Sequence, residues 1–308
     1  MVHYIYSLPA HEKPDVLIDQ INNINRFNQQ FSVLIVLHLS KRFNLSDEQV
    51  KEIAEQPNVL INPERIITGF MDGSLFEAHL SNINHIYSLK IDFRHFIFLA
   101  SNMMFIRPMW ELKTDFIDTS HDAIKHKGWL QAWMAVRDKN VNSYKIYGSQ
   151  IEGLFISKPL LDVMLAHLQA MSNKSLFTHA ERVKRNAFWT RIFRQFRKSR
   201  YKRWVKIEYP LKPIRWFTLS HFTFARIAYA TEEVYFATIA RLFEDQFVFG
   251  GKELSFQDWL NSNIVTIESI QWLRSSENNT YVCTKRVDRI YDDPIRVYIR
   301  ELPDNLPE

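Results

Sequence analysis

Two adjacent carboxylates, Glu232 and Glu233, open the stretch TEEVYFATIARLF over 231–243, whose pattern predicts a helix. A carboxylate in the first turn of a helix faces backbone N–H groups and the positive end of the dipole, so its pKa is expected to fall. Such a group stays ionised and can accept a proton; the plainer role of the pair is to complement the helix dipole. Lys285 and Arg286 form a basic pair at the end of a short strand predicted near 281–285. An arginine fork donates two hydrogen bonds to phosphate oxygens, whereas an exposed basic pair needs no ligand. His11, His38 and Lys41 fall at or just after the ends of the first two predicted strands. Ligands bind at that edge in open α/β sheets. Ser74, three residues before Glu77, is most economically a helix N-cap, and a place in a ligand pocket is its second reading.

Other chemistries find no residues. Only 7 glycines occur, and neither the dinucleotide fingerprint nor the P-loop pattern is present. The one cysteine, Cys283, excludes an intramolecular disulfide and a cysteine-based zinc site. There is no His-x-x-x-His, no His-Glu-x-x-His and no Asp-x-Asp, so no bound metal is predicted.

The elements that must carry these residues alternate in the first half. Strands are predicted over 3–8, 31–39, 58–61 and 95–100. Between them lie a loop over Pro9–Pro14 and helices with Leu17, Ile21 and Ile24 on one face, over 47–55, and from Ser74 to about Leu89. Ser46 and Gln49 spell a capping box for the second of these helices. In the second half the pattern predicts a strand at 153–157, a helix at 159–171, short strands near 264–267 and 281–285, and a helix over 293–301. Alternating strands and helices point to a mainly parallel sheet with helical cover. A chain of 308 residues is ample for one such α/β domain.

Seven local patterns, in one order across nearly the whole chain, resemble the core-2/I-branching N-acetylglucosaminyltransferase family. They are AHEKP (10–14), LHLSKR (37–42), FMDGSLFEAHLSNI (70–83), FLASNMMFIRPMWEL (98–112), GSQ (148–150), ATEEVYFATI (230–239) and TKRVD (284–288). The resemblance implies a single GT-A-like glycosyltransferase domain over 1–308 and an inverting, metal-independent transfer from a nucleotide sugar, UDP-linked and with GlcNAc as the inherited guess. It makes Glu233 the catalytic base, with Glu232 in reserve on the acceptor side. It puts Arg286 on the diphosphate with Lys285 beside it, and His11, His38, Lys41 and Ser74 around the donor. Gln150 and Glu152 match the segment lining the acceptor. Where the family has Asp in its second motif this chain has Ser40, and where it has Asp and Pro in the fourth this chain has Met103 and Phe105. Those departures leave open a catalytically silent binding or scaffold protein of the same fold.

The spacing between GSQ and TEEV, about 80 residues, is far longer than the resembled family usually has, which marks an insertion around 172–229. Within it, residues 181–206 hold eleven Lys/Arg and one Glu, so a net charge of +5 becomes −5 for the remainder. Phe188, Ile192 and Phe196 share a helical face with Val183 and Ala187. Such a basic amphipathic helix suits an anionic membrane surface and a lipid-linked or bacterial surface-glycan acceptor. Packing on the core is the competing reading, and nucleic-acid binding the least favoured. The N-terminus lacks the pattern of a signal peptide and no apolar run reaches about 20 residues, so the expected location is the cytoplasm, on or off the inner membrane face.

Overall fold

The computed structural model describes residues 1–68, 74–117, 121–122, 147–172, 232–251, 253–257, 265–275 and 280–304. The basic stretch 181–206 and nearly all of the insertion therefore lie outside the described residues.

The described strands are β1 (Val2–Ala10), β2 (Val33–Leu39), β3 (Val59–Ile61), β4 (Phe93–Phe98), β5 (Met103–Phe105), β6 (His121–Asp122), β7 (Tyr147–Gly148), β8 (Phe155–Ser157), β9 (Ser255–Phe256) and β10 (Cys283–Lys285). The described helices are α1 (Pro14–Phe27), α2 (Asp47–Ala54), α3 (Ser74–Ser88), α4 (Lys158–Ser172), α5 (Glu232–Ala240), α6 (Ile267–Arg274) and α7 (Pro294–Glu301). The central sheet has the order β3-β2-β1-β4-β8. Its first four members are mutually parallel and β8 runs antiparallel to β4. The architecture is thus α/β, a mainly parallel sheet flanked by helices, consistent with a GT-A-like fold.

Residues 4–10 of β1 are all buried, as a strand covered on both faces requires. Alternation sends Tyr6 toward one face, where its hydroxyl donates to Asn28 Oδ1 at 2.5 Å just past α1. Ser7 points to the other face and shares a 2.8 Å hydrogen bond with His79 Nδ1 of α3. Helices α1 and α3 therefore cover opposite sides. The apolar face expected of α1 is present, with Leu17, Ile21 and Ile24 buried. The helix also buries two amides: Gln20 Nε2 donates to Ala100 O and Met103 O, each at 2.9 Å, and Asn23 bonds both backbone groups of Phe105. Those amides fasten β5 to α1. Strand β5 then divides its side chains, Met103 and Phe105 to the main core and Met104 and Ile106 to a smaller one with Ile270, Leu273, Val287 and Ile299.

The capping box at Ser46 and Gln49 is formed in both directions. Three expectations change. Ser74 is the first residue of α3 rather than the residue before it, and β1 runs on to Ala10, shortening the predicted loop. The strand predicted near 264–267 is absent from its described residues: Thr266 Oγ1 accepts the Ser269 N–H at 3.1 Å and starts α6 instead. The β-branched run suggested a strand, but a threonine hydroxyl satisfying a first-turn donor favours a helix start. Among the described residues no helix is long and apolar enough to cross a membrane.

Candidate active site

The neighbours of β1 are β2 on one side and β4 on the other, so strand order reverses between β1 and β4. Ligands of open α/β sheets bind beyond the strand ends at such a reversal. There β1 delivers His11 and Glu12, and β4 delivers the turn Leu99–Asn102, closed by Met103 N–H donating to Ala100 O at 3.1 Å.

Strand β10 adds the cations. It pairs antiparallel with β5, with Lys285 opposite Met103. Arg286 then turns into the left-handed region at φ 73°, and Arg286 N–H and Val287 N–H both donate to Asn102 O at 3.0 Å. A non-glycine residue rarely adopts that conformation and does so at a cost of order 1–3 kcal/mol. The twin hydrogen bonds hold it, and Arg286 is left exposed.

Helix α5 adds the carboxylates. Its first turn is pinned to the segment after β7, where Ser149 N–H donates to Glu233 O at 2.7 Å, and Thr238 Oγ1 accepts the Tyr147 N–H at 3.0 Å. Gly153, at φ 84°, lets the same segment pass close to β9: a Cβ there would lie 3.0 Å from both Cβ and N of Ser255. Between them stands Glu152, its carboxylate ion-paired to Lys285. The two side chains are only 10% and 14% exposed, so this is a shielded pair. Glu152 Oε2 is buried and has no hydrogen-bond partner among the described residues.

Glu152 and Lys285 are thus paired and both act electrostatically on Glu233, although the chain separates the three by up to 133 residues. The expected fall in the Glu233 pKa does not occur. Burial pushes it up to about 7, the Glu152 charge adds to the rise, and Lys285 opposes it. Desolvation and a like charge outweigh the helix dipole, which is worth no more than about 2 kcal/mol even in favourable sites. Glu232 is itself buried, at 5% exposure.

The remaining predicted residues are dispersed. His38 is fully buried, its Nε2 accepts the Ile66 N–H at 3.1 Å, and burial lowers its pKa to about 4, so it is a neutral ring supporting the loop after β3. Lys41 is exposed, with its backbone N–H on Ile66 O at 3.0 Å. Ser74 is buried at the start of α3. Gln150 is half-buried beside Glu152, donating weakly to its carbonyl at 3.4 Å. His11 is exposed at the reversal point, 3.4 Å from a Glu12 oxygen. Ser40, where the resembled family has Asp, is buried and accepts the Thr68 N–H at 3.2 Å. Met103 and Phe105 are core residues, each 2% exposed. Among the described residues no group of three or more His, Cys, Asp and Glu is placed to hold a metal ion.

A second cluster at the reversal point was not foreseen. Glu12, 1% exposed in its side chain, receives Arg289 Nε at 2.7 Å, the Ser101 hydroxyl and the His11 N–H at 2.8 Å. Glu12 fell on a variable position of AHEKP, and Arg289 lies one residue past TKRVD. Only the burial of Glu12, a product of the fold, marks them.

No family model matches the chain. Over 100 residues, 30% of this chain, it is 33% identical to the chondroitin synthase of Pasteurella multocida strain Pm70. Over 170 residues, 48% of this chain, it is 26% identical to the hyaluronan synthase of Pasteurella multocida. These matches cover 10% and 17% of those two proteins, so the chain corresponds to a small part of each.

Proposed function

We propose that this chain is an inverting glycosyltransferase that moves a sugar from a nucleotide diphosphate donor to a hydroxyl of a glycan acceptor. The observation that carries the reading is Glu233, a carboxyl at a helix start whose pKa is pushed up to about 7 by burial and the Glu152 charge, with Lys285 opposing, and whose backbone is hydrogen-bonded to Ser149 in the segment that carries Glu152. The similarity to two named glycan synthases supports the reaction class. A base whose pKa lies near the operating pH is both substantially ionised and a strong proton acceptor.

In this scheme Glu233 takes the proton of the acceptor hydroxyl as its oxygen forms the new bond to the anomeric carbon. The bond from that carbon to the diphosphate breaks on the opposite face, and its electron pair leaves on the phosphate oxygen. The transition state has oxocarbenium character. Arg286, exposed at its left-handed turn, stabilises the departing charge, and the Glu152–Lys285 pair lines the acceptor side. Side-chain cations in place of a divalent metal, a UDP-linked donor such as UDP-GlcNAc, a bacterial surface-glycan or lipid-linked acceptor, and kinship with the core-2/I-branching family belong to the same proposal. They rest on the sequence resemblance.

The test is a thermal-shift and turnover screen with nucleotide sugars in EDTA, run on wild type and Glu233→Gln. The expected result is donor binding in both proteins and a turnover loss of about 10²–10⁴ in the variant, the range for a general base. Undiminished turnover in the variant would remove Glu233 from the mechanism. Donor binding without consumption, unaffected by the substitution, would favour the catalytically silent reading that buried Met103 and Phe105 motivate.

A further inference from the structure

Resting on the proposed reaction, we infer that Arg289 is a donor-binding residue, held ready by Glu12 and Ser101 to grip the diphosphate of the nucleotide. Glu12 holds the cluster together. Its carboxylate follows β1 directly and is almost wholly removed from water, which is unfavourable unless compensated. Compensation comes from this chain: one oxygen is ion-paired with Arg289 Nε and accepts the Ser101 hydroxyl, and the other accepts the His11 N–H. Glu12 is therefore engaged by this chain's own groups on both oxygens and acts as an anchor.

Arg289 is the opposite case. Its Nε is fixed on Glu12 and Nη2 lies 3.5 Å from Ser101 Oγ, yet 44% of the side chain is exposed. No partner for Nη1 occurs among the described residues. The guanidinium is thus clamped along one edge and presents its other N–H groups outward. That edge belongs to the strand-order reversal, because Glu12 follows β1 and Ser101 follows β4.

Arg286 aside, three neighbouring cations are committed elsewhere. Lys285 is paired with Glu152. Arg296 is fully buried on Asp19 and the Asp288 carbonyl, and Arg300 lies on Asp19 and the Tyr291 carbonyl. Arg289 combines a fixed position with unused donors, and a planar fork with several N–H groups matches phosphate oxygens. Holding the side chain in advance also removes rotamer entropy that binding would otherwise have to overcome.

The experiment is calorimetric titration of the full chain with UDP, ADP, GDP, CDP and the matching nucleosides. It is run on wild type, Arg289→Met, the double variant Glu12→Gln/Arg289→Met, and Glu233→Gln. The double variant leaves no buried carboxylate unpaired, so it separates ligand binding from folding. The expected result is a loss of at least tenfold in affinity for the preferred nucleoside diphosphate in both Arg289 variants. Nucleoside affinity should be unchanged, and Glu233→Gln should bind as wild type. Diphosphate affinity within twofold of wild type in the folded double variant would overturn the inference while leaving the proposed reaction standing. Failure of wild type to bind any of the four diphosphates would overturn both.

Discussion

Replacing Glu233 by Gln should lower turnover by about 10²–10⁴ and, at alkaline pH, make the protein more stable. The native carboxyl titrates at about 7 against an ordinary 4.5. Between those values the native state binds more protons than the unfolded chain, so stability falls as pH rises through the window. Below pH 4.5 the carboxyl is protonated in both states and contributes nothing unfavourable; above 7 the whole penalty is present. At ~1.4 kcal/mol per pH unit the gap corresponds to about 3 kcal/mol, and partial water access to Glu233 lowers the expected effect to roughly 2–3 kcal/mol. A neutral amide of the same shape removes the penalty and with it the pH dependence. Urea denaturation of both proteins at pH 4.5 and pH 8.5 reads this directly. The variant should match wild type at the lower pH and show a clearly higher midpoint at the upper. An equal difference at both pH values would show that the carboxyl is not held under strain by burial and Glu152, and the reasoning about its basicity would fail with it. A site that stores an unfavourable charge for chemistry gains stability when disarmed.

Three further outcomes follow from the same geometry. Glu152→Gln removes the like charge beside Glu233 and should move the acidic limb of the kcat/KM profile down by about one pH unit, whereas Lys285→Met removes the opposing charge and should move it up by a similar amount; shifts in the same direction would contradict the arrangement. Gly153→Ala sets a Cβ against Ser255 at a positive φ and should cost about 1–3 kcal/mol in chemical denaturation, while a neutral result would mean that the approach to β9 is loose. Arg296→Met leaves Asp19 buried with only Arg300, 3.3 Å away, and should destabilise by about 3 kcal/mol; a loss below 1 kcal/mol would show that the ion pair does not hold α7 to α1.

The sheet was legible because its residues depend on local pattern. A run such as VLIVLHL has no polar face, so it fits a strand covered on both sides, and β2 is buried accordingly. Helix starts were legible where a side chain caps its own turn, as at Ser46, but the cap at Thr266 was missed because its neighbours Val265 and Ile267 also suit a strand. The acidic pair and the basic pair were visible as residue types, since carboxylates at a helix start and cations at a strand end have few local uses.

What the amino-acid order alone determined is therefore the α/β alternation, while it offered Glu233, Glu152 and Lys285 only as candidates. Tertiary structure alone decided their protonation, their partners and the existence of the Glu12–Arg289 anchor. A pKa depends on how much water surrounds a group and which charges lie within a few ångströms, and neither quantity is written in residues adjacent along the chain. The sign of the Glu233 shift shows the difference: sequence neighbours offer a helix dipole that lowers it, whereas burial and the charge of Glu152, 81 positions away, raise it.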